Sequence, residues 1–259
     1  MPLRIESLDN SRLKLIRKLA AKKHRDAEGR FIIEGINLLE EAIRKNVQLD
    51  LIVMADDFRY DEDRLRLSDI AELCVVSRTI YEKLCDADNG SGILAVAKKN
   101  IYTEESIELS CNANVLVLDR VQDPGNIGTM IRTSVAAGYE LVVVCKGTAD
   151  LYSPKVLRAT AGMVFHVPVL FTDDAETTAE LLRRLGKRIC VTVPRGGVPY
   201  YERNLSEGIA LVIGNEGNGI SDELIELSDE KVTIPMMGEI ESLNAAVSAA
   251  ILMYEAVRR

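Results

Sequence analysis

This sequence predicts a two-domain α/β fold: a smaller α/β domain, followed by a mainly parallel sheet flanked by helices. Three observations carry that prediction. Short apolar runs alternate with stretches of helical periodicity along nearly the whole chain. In the second half the runs at 115–118, 141–144 and 209–213 are apolar at consecutive positions, the pattern of strands buried on both faces. Between the two series, residues 98–113 turn polar and lose their periodicity, as a linker does.

Taken in order, the first domain (1–97) opens with a helix over 10–24, whose apolar face shows Leu13, Ile16 and Ala20. Residues 31–33 read as a strand stopped at Gly35, 36–45 as a helix, 51–54 as a strand, 61–70 as a helix and 74–76 as a strand. Ser77 caps a short helix running to Leu84, and 92–97 closes the series. After the linker (98–113), the second domain (114–259) supplies strands at 115–118, 141–144, 167–170, 189–193, 209–213 and 232–234. Helices fall near 126–137, 153–161, 174–186 and 242–258. There is no internal repeat and no low-complexity tract.

The chain has 259 residues, 47% hydrophobic and 28% charged, which suits two globular domains. No apolar run approaches the roughly 20 residues of a membrane span, and the N-terminus has no hydrophobic signal segment. Five cysteines, at 74, 85, 111, 145 and 190, are scattered without CxxC spacing. Neither a disulfide framework nor a metal site is expected, and a reducing cytoplasm fits. Net charge is −8, yet residues 1–30 hold nine Lys or Arg against four acids. Exposed charges are screened beyond about 8 Å at physiological salt, so a local basic face can take phosphates whatever the distant total. Lys14, Lys18 and Lys22 recur at i, i+4 and i+8. With Lys23 and Arg25 they are the candidate RNA-binding residues, a merely solvated face being the competing reading.

Three loops, each following an apolar run, concentrate the chemistry, as ligand sites do in open α/β sheets. Residues 123–133 read DPGNIGTMIRT. Pro124 and Gly125 set a turn, Asn126 stands where a helix N-cap belongs, and Arg132 lies about two turns on, in an apolar and small-residue stretch. A guanidinium buried there would need an anionic partner, whereas one snorkelling to solvent would not. Residues 213–221 read IGNEGNGIS, in which Gly214, Gly217 and Gly219 let backbone approach a ligand around Glu216. The spacing is neither a Walker loop nor the dinucleotide GxGxxG, and a structural turn remains open as an alternative. Residues 234–244 read IPMMGEIESLN and lead into a helix for which Ser242 or Asn244 is a cap. That helix carries Ala245, Ala246, Ala249 and Ala250, which allow close approach of another helix, within the domain or from a second subunit.

At these loops the sequence resembles the SpoU or TrmH branch of the SPOUT methyltransferases, with all three motifs in order and at the usual spacing. The stretch 17–25, RKLAAKKHR, followed by FIIEG at 31–35, is similar to the substrate-binding domain often found ahead of it. The resemblance implies transfer of a methyl group from S-adenosyl-L-methionine to a ribose 2′-hydroxyl of RNA, large-subunit rRNA ahead of tRNA. It also implies a trefoil-knotted catalytic domain, homodimerisation through that domain and a site at the dimer interface. Asn126, Arg132, Glu216, Ser242 and Asn244 match the family's motif polar positions and are the implied catalytic residues. Gly214, Ile234 and Leu243, with Thr192 and Pro194 on the adenosine side and Gly219 in the glycine loop, are the implied cofactor contacts. Family precedent makes the motif arginine the base. A guanidinium with a pKa above about 12 is instead suited to hold phosphate and stabilise alkoxide charge. Neither His24 nor His166 lies in a motif, and methyl transfer from a sulfonium calls for no metal. A catalytically silent RNA-binding assembly factor on the same fold is the alternative of a different class; a small-molecule nucleotide enzyme lacks its phosphate loop.

Overall fold

The computed structural model describes residues 2–61, 65–85, 90–238 and 242–258. The first part of the chain runs β1 (Leu3–Arg4), α1 (Ser11–Leu19), α2 (Lys22–Glu28), β2 (Arg30–Glu34), α3 (Ile36–Arg44), β3 (Leu49–Ala55), α4 (Leu67–Ile70), β4 (Glu72–Val76), α5 (Arg78–Glu82) and β5 (Ile93–Lys98). It continues with β6 (Val115–Leu118), α6 (Pro124–Ala136), β7 (Leu141–Cys145), α7 (Pro154–Thr160), β8 (Val169–Thr172), α8 (Ala175–Arg184), β9 (Arg188–Thr192) and β10 (Val198–Pro199). Then come β11 (Ile209–Ile213), α9 (Asp222–Glu226), β12 (Glu230–Thr233) and α10 (Ala245–Glu255).

Two compact units form, one from Met1–Ile101 with Asp150–Phe165, the other from Tyr102–Ala149 with His166–Arg259. Residues 150–165, α7 included, thus group with the first unit although they follow the start of the second in sequence. Aromatic packing explains it: the Phe31 ring on β2 lies 4.8 Å from Tyr152 and 6.2 Å from Phe165. The segment expected to be a linker is also better ordered than its composition suggests. Ile107 and Leu109 pack on the second unit's core, and Glu104 accepts the Arg184 guanidinium.

In the first unit the sheet order is β1-β4-β3-β5-β2, with β5 antiparallel to both neighbours and the other pairs parallel. The helix expected over 10–24 is two helices. Asn10 caps α1, its side chain accepting from Arg12 N–H, and Ala21 is extended at φ −93°, ψ 134°. The break frees carbonyls at the end of α1, and Arg25 Nη1 donates to those of Leu19 and Ala20, each at 2.6 Å. The same guanidinium donates to Asp150 Oδ2 at 2.6 and 2.9 Å. Lys22 thus starts a new helix, and the Lys14, Lys18, Lys22 row is not one helical face. Of the helix expected over 61–70, the described residues show α4 at Leu67–Ile70, residues 62–64 lying outside those described. Ser77 caps α5 as expected, accepting from Ile80 N–H.

The second unit holds a seven-stranded sheet of order β10-β12-β9-β11-β6-β7-β8, parallel throughout. Every residue of β6, β7 and β11 is buried, as consecutive apolar positions require. Alternate residues such as Val115 and Val117 join a core with α8 and α9 residues, including Leu182 and Leu224. The intervening Leu116 and Leu118 are buried too, on the opposite face of the pleat. Helix α10 packs against α6, with Ala246 and Ala249 buried, so part of the alanine face serves this fold's own core.

Parallel pairing puts the C-terminal ends of all the strands on one side. The chain leaves β6 towards β7 and β8, then returns to lay β11 against β6's other edge. This reversal of strand order is where an α/β sheet opens a crevice. The loops after β6, β11, β9 and β12 all emerge there, and they contain the three motifs.

Candidate active site

The loop after β11 begins at Gly214, where a side chain has no room: a Cβ would lie 2.3 Å from Ile220 N and 2.4 Å from Gly219 C. That closeness folds 215–219 into a tight hairpin. Asn215 and Gly219 exchange backbone hydrogen bonds of 3.0 and 2.9 Å, with Gly219 at φ 70°. Asn215 Oδ1 accepts the N–H groups of Gly217 and Asn218, each at 2.9 Å, an Asx-type turn that fixes the loop from inside.

Glu216, at the tip, reaches back to the loop after β6. Its carboxylate accepts the backbone N–H of Gln122 (3.2 Å) and of Asp123 (3.1 Å), together with Asn126 Nδ2 (2.9 Å). Partial burial pushes this carboxyl up, but the Asn126 amide and the backbone donors outweigh it and hold it below its ordinary value. The buried Asn126 then accepts Asn244 Nδ2 on its Oδ1 at 2.9 Å. Glu216, Asn126 and Asn244 therefore form one polar chain that fastens the three motif loops to each other. In it Asn126 has a single consistent amide orientation.

Asn126 is not the helix cap. Asp123 is, accepting Asn126 N–H at 2.7 Å, with Pro124 in the first turn, so α6 starts two residues earlier than expected. Asn126 falls in the first turn, with its side chain free to turn to the other loops. Asn244 does cap α10, accepting from Ala246 and Val247 N–H, and α10 starts at Ala245 rather than 242.

A cleft of about 620 Å³ lies against this network, within the range of small-molecule sites. All six expected cofactor contacts line it: Thr192, Pro194, Gly214, Gly219, Ile234 and Leu243. Glu216, Ser242 and Asn244 line it as well. Among the described residues, the amides of Gly214, Ile234 and Leu243 donate to no protein group. Backbone donors left open on a cleft wall are what a nucleoside-bearing ligand with polar edges would satisfy. The apolar Ile220, Met236 and Leu252 supply the rest of the wall.

Arg132 is not brought to the cleft. It is exposed on α6 and makes no hydrogen bond to protein among the described residues, and Asn126 turns to Glu216 and Asn244 rather than to it. Of the basic candidates, Lys14, Lys18, Lys22 and Lys23 are exposed, Lys14 beside Asp9 at 3.1 Å. Arg25 is 4% exposed and spent on Leu19, Ala20 and Asp150, so it is a structural residue rather than an RNA contact. The sequence reading missed Asn215, although an Asn opening a glycine-rich turn is a legible signal. It also missed the buried Asp119, which accepts Ser221 N–H at 2.7 Å and anchors the far end of the glycine loop.

Residues 113–254 match the SpoU rRNA Methylase family, and residues 10–95 match the MRM3-like substrate binding domain. A Bacillus subtilis (strain 168) relative, named 23S rRNA (guanosine(2553)-2'-O)-methyltransferase RlmP, is 38% identical over 250 residues, 96% of this chain and 97% of its own. The crystal structure of an AdoMet-bound rRNA methyltransferase from Sinorhizobium meliloti aligns with a TM-score of 0.88 at 28% identity, over 98% of this chain and 96% of its own. A structure described as concerning 2-OH methylation of C/U34 on tRNA aligns with a TM-score of 0.53 at 32% identity, over 57% of this chain and 97% of its own. From the matched family and the full-length relative, this chain belongs to the SpoU rRNA methylase family.

Proposed function

We propose that the protein methylates a ribose 2′-hydroxyl of large-subunit rRNA, using S-adenosyl-L-methionine bound in the cleft between the glycine loop and the 234–244 loop. The observation that carries this is the cleft itself: three motif loops tied by the Glu216, Asn126, Asn244 chain, with open amides at Gly214, Ile234 and Leu243. When bound, the cofactor supplies a methyl group activated on a sulfonium. The protein's part is placement. The backbone of Gly214, Ile234 and Leu243 holds the nucleoside, and Thr192 and Pro194 border its adenosine side. Glu216 and Asn126 keep the loops in register, and Ser242 with Asn244 faces the target nucleotide.

The ribose oxygen must also lose a proton and carry transient negative charge. Arg132 is assigned to that task, stabilising the alkoxide and holding an adjacent phosphate. Its absence from the cleft of its own chain fits a homodimer in which the catalytic domains complete each other's sites. Helix α10, packed on the helix that bears Arg132, exposes Val247 (49%) and Tyr254 (51%), with Val257 (46%) just beyond, apolar surface a partner would cover. The family's trefoil knot belongs to the same reading, as does a cytoplasmic location. Lys18, Lys22 and Lys23 are assigned to RNA phosphates. Substrate class rests on full-length similarity: the relative matching 96% of the chain is named an rRNA enzyme, whereas the tRNA-related structure spans 57%. No metal cluster occurs among the described residues, and no helix there is long and apolar enough to cross a membrane.

The test is transfer of labelled methyl from S-adenosyl-L-methionine to total RNA from a strain lacking this gene, fractionated into tRNA and rRNA, with Arg132→Ala as control. Label in 23S rRNA, recovered as an alkali-resistant 2′-O-methyl dinucleotide and lost with the variant, is expected. Label in tRNA would overturn the substrate assignment. Cofactor binding without transfer to naked or ribosomal RNA would favour the silent assembly factor.

A further inference from the structure

Arg120, two residues past the end of β6, has φ 56°. Gly or Asn takes this left-handed conformation at little cost, and a long side chain does not. Four features of the second unit nevertheless hold an arginine there. Asn215 Nδ2 donates to the Arg120 carbonyl at 2.9 Å and Gln122 Nε2 at 3.0 Å. Gly147 leaves room for the side-chain stem: a Cβ there would lie 3.1 Å from Arg120 Cγ. Asp119 Oδ1 stands 3.6 Å from Arg120 Nε, steering the near side of the guanidinium. The other Asp119 oxygen is already engaged with Ser221 N–H.

The charge so placed is only partly answered. Nε is buried with no hydrogen-bond partner, and among the described residues the two Nη groups donate to no protein atom. The side chain is 43% exposed, at the ligand end of the sheet. Its neighbours are working parts of the site, since Asn215 lines the cleft and Gln122 N–H holds Glu216. Arg120 itself is not among the residues lining the cleft, so its anion comes from outside the cofactor's space. A planar fork of N–H donors is matched to phosphate oxygens.

We propose that Arg120 is a phosphate-positioning residue, gripping a backbone phosphate of the RNA next to the nucleotide presented to the cleft. The inference rests on the RNA methyltransferase reading and adds a contact to it. Its strained backbone is the means by which the guanidinium is aimed.

Arg120→Gly in the full chain separates this role from a structural one, because glycine accepts φ 56° and deletes only the side chain. Binding of deproteinised 23S rRNA is measured across a salt titration, alongside cofactor Kd, methyl-transfer kinetics and thermal unfolding. Expected are about tenfold weaker RNA binding and a log K against log salt slope shallower by about one. The KM for RNA should rise with kcat nearly kept and the cofactor Kd should not change, while two opposed effects set the Tm, relief of the left-handed strain and loss of the guanidinium beside the buried Asp119. Arg120→Lys should recover part of the RNA affinity. A lowered Tm with unchanged RNA affinity and slope would make the turn purely structural and overturn the proposal. A weakened cofactor Kd with unchanged RNA binding would reassign the group to the cofactor's carboxylate. Absence of transfer by the wild type would strike the parent reading alone, since the salt slope decides Arg120 independently.

Discussion

Gly214→Ala tests whether the close backbone crossing behind the glycine loop shapes the cofactor cleft. The added Cβ would sit 2.3 Å from Ile220 N, 2.4 Å from Gly219 C and 2.6 Å from Gly219 O, against 3.4–4 Å for ordinary contact. All three obstacles are backbone, so the loop must retreat by about an ångström, since no side chain is available to rotate away. Retreat breaks the two Asn215–Gly219 hydrogen bonds, each worth about 1 kcal/mol net. Overpacking adds about 1–3 kcal/mol. The total, about 3–5 kcal/mol, corresponds to at least a hundredfold loss in cofactor affinity if the loop must reform to bind. Gly217→Ala is the control within the same loop, for its Cβ would meet only Asn215 Oδ1, at 3.6 Å. Calorimetric titration with S-adenosyl-L-methionine should show binding by Gly217→Ala within about threefold of wild type and none measurable by Gly214→Ala. Cofactor affinity in Gly214→Ala equal to that of the control would refute the reasoning.

Asn126→Ala removes the shared member of the polar chain, leaving Glu216 Oε1 and Asn244 Nδ2 each short of a partner. A stability loss of about 1–3 kcal/mol is expected, read from denaturant midpoints, with methyl transfer reduced more than tenfold; unchanged turnover would dissolve the idea that the chain organises the site. Glu216 is held below its ordinary carboxyl value in the folded protein. Its contribution is therefore complete above the unfolded carboxyl range and is lost as pH falls through the lower folded value. Cofactor affinity followed downward in pH should weaken only on the acid side of the usual carboxylate range, by a modest screened amount because Glu216 is exposed. Glu216→Gln should remove that acid limb, and a limb that survives would point to another group. Arg25→Ala strands Asp150, whose side chain is 12% exposed, and should cost about 3–5 kcal/mol in urea unfolding. Lys18→Ala should stay within about 0.5 kcal/mol of wild type, and a mild Arg25→Ala would return Arg25 to the RNA-binding candidates.

Strand positions in the second unit were legible because parallel strands buried on both faces leave an uninterrupted apolar trace, as at Val115–Leu118 and Ile209–Ile213. The three motif loops were legible because each follows an apolar run and carries glycine or proline, whereas Thr192, Pro194, Ile234 and Leu243, which line the cleft, were reached only through the family resemblance. What failed were features decided by distant partners. Nothing local distinguishes one helix over 10–24 from two, because the break is held by Arg25 reaching Asp150, 125 residues away. Asn126 passed for a cap because Asn caps helices well. Asp123 took the cap position by accepting Asn126 N–H, which left the Asn126 side chain for Glu216, 90 residues on. The left-handed backbone at Arg120 left no mark, for arginine is the wrong residue from which to expect it.

The assignment of Asp150–Phe165 to the first unit means that the polypeptide passes between the two units three times, after Ile101, after Ala149 and after Phe165. A protein joined by one linker can be cut there and studied in halves; this one cannot. Deletion of residues 1–97 would leave Tyr152, Val156 and Leu157, all buried in the intact chain, without the sheet that covers them. A protease nick at any one crossing would leave two covalent connections intact. Separating the catalytic half cleanly calls for excising 150–165 as well, with a short bridge from Ala149 to His166. Natural exchange of the first unit between such enzymes faces the same obstacle, because a graft of the N-terminal gene segment alone would arrive without one of its own helices.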